Sequence, residues 1–144
     1  MEEIKVNEYV RTKEGYIARL IHYGINEGIN GKSCLFDKAI RDISCLIYDE
    51  DNFLFDSELK KYIVKHSPNV IDIIEEGDYV NGKEVVYDAD ASEMYNGHKT
   101  IGVSISNNNS TTWTILDTEI RDIVTKEQFN QMKYIVGDES NVKD

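Results

Sequence analysis

A mainly β chain (β-rich α+β), folded as two small barrel-like units in tandem with a short helix in each, is predicted by three observations. The segment Ile4-Lys5-Val6-Asn7-Glu8-Tyr9-Val10 returns later as Ile74-Glu75-Glu76-Gly77-Asp78-Tyr79-Val80. Each copy runs on through a Lys-Glu pair into alternating apolar and polar residues, the period of a half-buried strand. Turn residues punctuate the chain, with a single proline among them. The expected organisation is a first β unit over 1–66 with a long loop region at 24–42, a second β unit over 67–136, and a polar tail at 137–144.

The first unit opens with a hairpin over 4–10 and 15–23, turned at Glu14-Gly15, in which Tyr16, Ala18 and Leu20 alternate with Ile17, Arg19 and Ile21. The glycine- and asparagine-rich stretch 24–31 reads as a loop. A strand is expected at 43–48, a polar turn at 49–52, and one or two strands between Phe53 and Val64. Ser67-Pro68 reads as a helix start, with Ser as N-cap and Pro at the first helical position, giving a short helix over 68–74.

The second unit begins at Gly77-Asp78-Tyr79-Val80 and turns at Asn81-Gly82, a strong two-residue hairpin signal. Residues 100–106 and 111–116 flank an Asn-rich turn and form another hairpin. A strand over 119–124 follows. Thr125 and Gln128 make a capping box that starts a short helix containing Phe129 and Met132. Residues 132–136 are expected to close the fold as a last strand. Hydrophobic residue, three others, acid, Tyr, Val is how Tudor- and KOW-type barrels often open, and barrels of this size mostly bind things.

The 144 residues are enough for one compact domain or two very small ones, and a 40% hydrophobic fraction supplies a core. The acidic start and the lack of a long apolar run predict a cytoplasmic protein without a membrane span. Cys34 and Cys45 are then expected as thiols, Cys45 as a core residue. Whether either is reactive stays open at this point.

The net charge is −11 and uneven. Asp72, Glu75, Glu76, Asp78, Glu84, Asp88, Asp90 and Glu93 face Lys83 alone within 72–93. Such a surface repels phosphate backbones and suits a basic partner, so direct nucleic-acid binding is not expected. These eight carboxylates are the candidate binding face. Arg11, Lys13, Arg19, Lys32, Lys38 and Arg41 form the one basic-leaning stretch. Tyr16, Tyr23, Tyr87, Tyr95 and Trp113 fall near strand ends, where rings stack on a ligand, anchor a partner or fill a core. An alternative ligand site is therefore Arg19, Tyr23, Lys32 and Trp113.

Several motifs imitate chemistry without its requirements. Gly31-Lys32-Ser33 ends like a phosphate-binding loop, but Asn26 stands where the first glycine belongs and no βαβ alternation surrounds it. Asp88, Asp90 and Ser92 start like a calcium loop, yet Glu93 replaces its glycine and Lys99 its bidentate acid. His22, His66 and His98 lack ligand spacing to either cysteine. No catalytic residue, metal or cofactor is expected.

The stretch from Lys65 to Gly82, KHSPNVIDIIEEGDYVNG, and the segment from Ile123 to Phe129, IVTKEQF, resemble small uncharacterised proteins of phages and prophages in low-GC Gram-positive bacteria. The opener at 4–10 is similar to theirs as well. The resemblance implies a non-enzymatic, anti-CRISPR-like protein in the cytoplasm of the infected or lysogenic host. It would inhibit a host defence protein with a basic nucleic-acid channel through its acidic surface. The alternative it implies is a sponge for a nucleotide second messenger of host immunity. Homo-oligomerisation stays open.

Overall fold

The structure is a computed structural model that describes residues 3–25, 31–42, 51–105, 111–133 and 136. Strands β1 (Tyr9–Thr12), β2 (Ile17–Ile25), β3 (Lys32–Phe36), β4 (Phe53–Phe55) and β5 (Ile63–Ser67) form one antiparallel sheet in the order β4-β3-β2-β1-β5. Strands β6 (Tyr79–Val80), β7 (Lys83–Tyr87), β8 (Thr100–Ser104), β9 (Thr112–Leu116) and β10 (Ile123–Val124) form the other, in the order β10-β6-β7-β8-β9. Both sheets place their first strand between the second and the fifth. The chain is mainly β, and the order of pairing is the same twice.

The repeated opener repeats in hydrogen bonds as well as in letters. Asn7 and Gly77 both take the left-handed conformation, at φ 78° and 93°, which Asn and Gly tolerate. Glu8 N donates to the Lys5 carbonyl at 3.0 Å, and Asp78 N to the Glu75 carbonyl at 3.1 Å. The acid then closes the turn: Glu8 Oε1 accepts from Lys5 N, and Asp78 Oδ2 from Glu75 N. Ile4 and Ile74 enter the core just before the turn, and Val10 and Val80 just after it. Each sheet packs around its own cluster, with Leu20, Phe36 and Leu54 fully buried in the first and Val85, Ile101 and Val103 in the second.

The link from the fourth strand to the fifth also recurs. A 3₁₀ turn occupies Asp56–Glu58 after β4 and Asp117–Glu119 after β9. In each, the glutamate reaches back to the strand end: Phe55 N donates to Glu58 Oε1 at 3.0 Å, and Leu116 N to Glu119 Oε1 at 2.8 Å. The first link continues into α1 (Leu59–Tyr62), and α2 (Lys126–Met132) follows β10.

Several boundaries differ from the sequence reading. The region 24–42 is not one long loop, because β2 runs to Ile25 and β3 occupies Lys32–Phe36. Ser67 does not cap a helix; it ends β5, pairs with Tyr9, and its hydroxyl accepts from Asn69 N. Only a 3₁₀ turn, Val70–Ile73, follows. The strand expected over 119–124 shrinks to Ile123–Val124, since the preceding residues make the 3₁₀ link. Met132 belongs to α2 rather than to a closing strand. Residues 134 and 135, the strand expected at 43–48 with Cys45, and the tail from 137 lie outside the described residues.

The Asn81-Gly82 turn forms as expected, with φ 52° and 81°, joining β6 to β7. Thr125 caps α2, its side chain accepting from Gln128 N. Gln128 does not complete a capping box. Its side chain donates instead to the Glu14 carbonyl of the first unit.

Candidate functional site

The acidic face predicted from sequence divides into three paired acids, of which Asp78 is buried, and five others. Asp78 is fully buried and forms a bidentate pair with Arg11, itself 1% exposed, at 2.5 and 2.9 Å. Both oxygens of Asp78 also accept backbone donors, from Glu75 N and Lys126 N. That uses the lone-pair directions of the carboxylate, which is what a buried charge requires. The Arg11 fork donates further to the Ile73 carbonyl and to Glu127, and its Nε lies 3.6 Å from Glu75. Burial pulls the Arg11 pKa down, but the hydrogen bond and charge of Asp78 outweigh that and leave it raised.

Glu75 in turn pairs with Lys65 and Lys126. Burial pushes its carboxyl up; the hydrogen bond from Lys126 and the charges of Arg11 and Lys65 overcome this and hold it below its ordinary 4.5. Asp72 is bound by Lys99 at 2.5 Å and by the Ser67 hydroxyl at 2.6 Å. Those bonds likewise outweigh burial and lower its pKa. Asp78 is therefore shut away from any partner, while Asp72 and Glu75, each 23% exposed at the side chain, are held in ion pairs. This corrects the sequence reading of all eight acids as one surface. Arg11, read from sequence as part of a basic stretch, sits in the same buried network.

Of the remaining five acids, Glu76 precedes β6, Glu84 lies in β7, and Asp88, Asp90 and Glu93 lie between β7 and β8. Glu76, Glu84, Asp90 and Glu93 are exposed and Asp88 is half-buried. Tyr87, Met94 and Tyr95 stand beside them with 52%, 63% and 59% of their surface exposed. The excursion carrying these side chains is tied down at several points. Asp88 Oδ1 accepts from the backbone N–H groups of Asp90 and Ala91, an Asx turn that explains the calcium-like spacing. Thr100 Oγ1 donates to the Glu93 carbonyl at 2.5 Å. Tyr95 and His98 exchange two backbone bonds of 2.9 Å across Asn96-Gly97, whose φ values of 50° and 81° make a second Asn-Gly hairpin turn. The Tyr87 ring lies against Gly102, where an added Cβ would sit 2.9 Å from Cδ2.

Exposed aromatic and methionine side chains next to carboxylates that make no ion pair among the described residues, on a loop tied by its own hydrogen bonds, have the anatomy of a protein-binding patch. Sequence reading had the acids and both tyrosines as separate candidates. What it missed was Met94 and the Asn96-Gly97 turn that presents Tyr95, although that dipeptide is the same signal read correctly at 81–82.

The alternative ligand set is not gathered in one place. Tyr23 and Lys32 meet, the ammonium 5.6 Å from the ring centroid, and the Tyr23 hydroxyl donates to Asp56. That bond, with some burial, raises the Tyr23 pKa. A bulge between Leu20 and His22 turns Tyr23 onto the side of Leu20 and Cys34, leaving Arg19 on the opposite face. Trp113 belongs to the other sheet, with Lys83 5.3 Å from its centroid. Lys32 and Ser33 lie in β3, so no helix follows the phosphate-loop look-alike.

Cys34 is fully buried, and burial, with the nearby Asp56 charge, pushes its thiol up to about 11. It is an unreactive core thiol. His66 Nδ1 lies 2.7 Å from Glu8, and His98 Nδ1 3.0 Å from Asp117. Among the described residues no helix is long and apolar enough to cross a membrane. The fold and surface thus define a twice-repeated five-stranded β protein with an ordered acidic and aromatic projection. No family model, curated protein or solved structure matches the chain.

Proposed function

We propose that this is a non-catalytic, phage- or prophage-encoded binding protein that inhibits a host defence complex, in the manner of an anti-CRISPR protein. The contact is made by the excursion between β7 and β8. One observation carries the reading: Tyr87, Met94 and Tyr95 stand exposed among Asp88, Asp90 and Glu93 on a loop fixed by its own hydrogen bonds. Carboxylates that make no ion pair among the described residues stand in for phosphates opposite Lys and Arg, and exposed rings supply the anchors. The partner is a host protein with a basic nucleic-acid channel, met in the bacterial cytoplasm.

Each sheet, on this reading, curls into a small open barrel of the Tudor or KOW type, with its two edge strands not joined to each other among the described residues. The bulges in β2, β5 and β7 and the 3₁₀ link from fourth to fifth strand favour that curvature. Sequestration of a nucleotide by Arg19, Tyr23, Lys32 and Trp113 lacks comparable support, because those residues divide between two sheets.

The test is phage plating on a low-GC Gram-positive host with an active nuclease-based defence, with and without expression of the chain. Wild-type chain should raise plating efficiency. The variant Asp90→Lys/Glu93→Lys/Tyr95→Ala should lose that effect while keeping its thermal midpoint. Anchor truncation alone is expected to weaken binding by about 2 kcal/mol, roughly thirty-fold. Undiminished protection by the triple variant would reject the site, and no protection by wild type on any such defence would reject the function.

A further inference from the structure

We propose that β9 is a self-pairing edge, through which two copies of the chain join their second sheets. Among the described residues, the four edge strands differ sharply in how they are guarded. β4 has three residues and β10 two, while β5 carries Lys65 and His66. β9, Thr112-Trp113-Thr114-Ile115-Leu116, is a five-residue edge with no charge and no proline. Short length, charge and proline are the usual means of keeping an edge from pairing, and β9 uses none of them.

Its free backbone groups can be assigned. Ile105 N donates to the Thr111 carbonyl and Asp117 N to the Lys99 carbonyl, so in the β8–β9 register the odd-numbered residues of β9 bond to β8. Thr112 and Thr114 therefore point their N–H and C=O groups outward, and among the described residues nothing receives them. Leu116 also faces outward, but its N–H is taken by Glu119 Oε1. That leaves one register with both threonines used: Thr112 opposite Thr114 of a second copy, and Thr114 opposite its Thr112, each pair exchanging both hydrogen bonds. Trp113 then meets its own copy as a non-hydrogen-bonded pair, the closer kind, which favours aromatic partners.

The self-complementary register of Thr112 and Thr114 fits a second copy, and charge does not oppose it. A chain of net charge −11 repels itself through almost any face. Through β9 it meets no like charge on the strand itself. A basic peptide would find no carboxylate on β9, so charge gives it no advantage there. The excursion between β7 and β8 is not used by this contact.

Sedimentation velocity of the full chain at about 0.15 M salt tests this. The mass should rise from 16.6 kDa toward twice that value as concentration rises to about 0.5 mM. Thr112→Lys/Thr114→Lys should stay at 16.6 kDa, and mixing it with Thr112→Glu/Thr114→Glu should restore a heterodimer. A wild-type mass fixed at 16.6 kDa over that range would overturn the proposal. So would a lysine variant that dimerises as wild type does. If the lysine variant does not fold, hydrogen exchange of the wild type decides: the Thr112 and Thr114 amides should slow with concentration, and exchange independent of concentration would reject the pairing.

Discussion

At the scale of single residues, the buried Arg11–Asp78 pair was illegible in the sequence. The two stand 67 positions apart, one in a basic-leaning stretch and the other in an acidic run, and no local pattern joins them. Removing one partner of a buried pair leaves an uncompensated charge, so Arg11→Met or Asp78→Ala should cost about 3–5 kcal/mol in urea unfolding. A loss under about 1 kcal/mol would show that the pair is not the clamp described. The lowered carboxyls of Asp72 and Glu75 add an acid dependence. A carboxyl whose folded pKa is depressed stabilises the fold above its ordinary value, here 3.8 and 4.5, and that stability fades as pH falls through the lower folded value. The urea midpoint should drop between about pH 6 and about pH 3, and drop less in Glu75→Gln. An equal drop in the variant would remove Glu75 from the account.

At the scale of elements, what the sequence showed was local and what it hid depended on register or on distant contacts. The opener, the Asn81-Gly82 turn and the Thr125 cap each rest on a few adjacent residues, and each formed. A second repeat was legible and went unread: Phe55-Asp56-Ser57-Glu58 returns as Leu116-Asp117-Thr118-Glu119, and both make the same 3₁₀ link with the same glutamate bond. The bulge that separates Arg19 from Tyr23 was not legible, since one added residue in a ladder leaves no compositional mark. The seam between the units combines both kinds. Thr125 Oγ1 donates to the Gly15 carbonyl at 2.7 Å while also capping α2. Gly15 has φ +88°, and a Cβ there would lie 2.3 Å from that hydroxyl. Thr125→Ala should therefore cost about 1–2 kcal/mol through the cap alone. Gly15→Ala should cost at least as much, because it adds strain and a clash. Thermal midpoints for both variants near wild type would show that this contact does not join the units.

At the scale of the whole molecule, composition foretold the sign of the surface but not its distribution. Eight acids in one stretch looked like a single face; folding turns Asp78 inward, spends Asp72 and Glu75 on lysines and Arg11, and leaves the free carboxylates beside three exposed apolar side chains. Charge counting cannot anticipate this, because it depends on where the first unit sends Arg11 and Lys65. The claim that this remaining patch is the binding surface is tested most directly by a photo-reactive phenylalanine analogue in place of Tyr95, expressed in the bacterial host during infection. A second protein carries the same analogue in place of Ile21, an exposed residue of the first sheet. The account predicts one discrete cross-linked host protein of basic character from position 95, abolished by Asp90→Lys/Glu93→Lys, and none from position 21. Cross-linking of equal strength from both positions, or from position 21 alone, would contradict it.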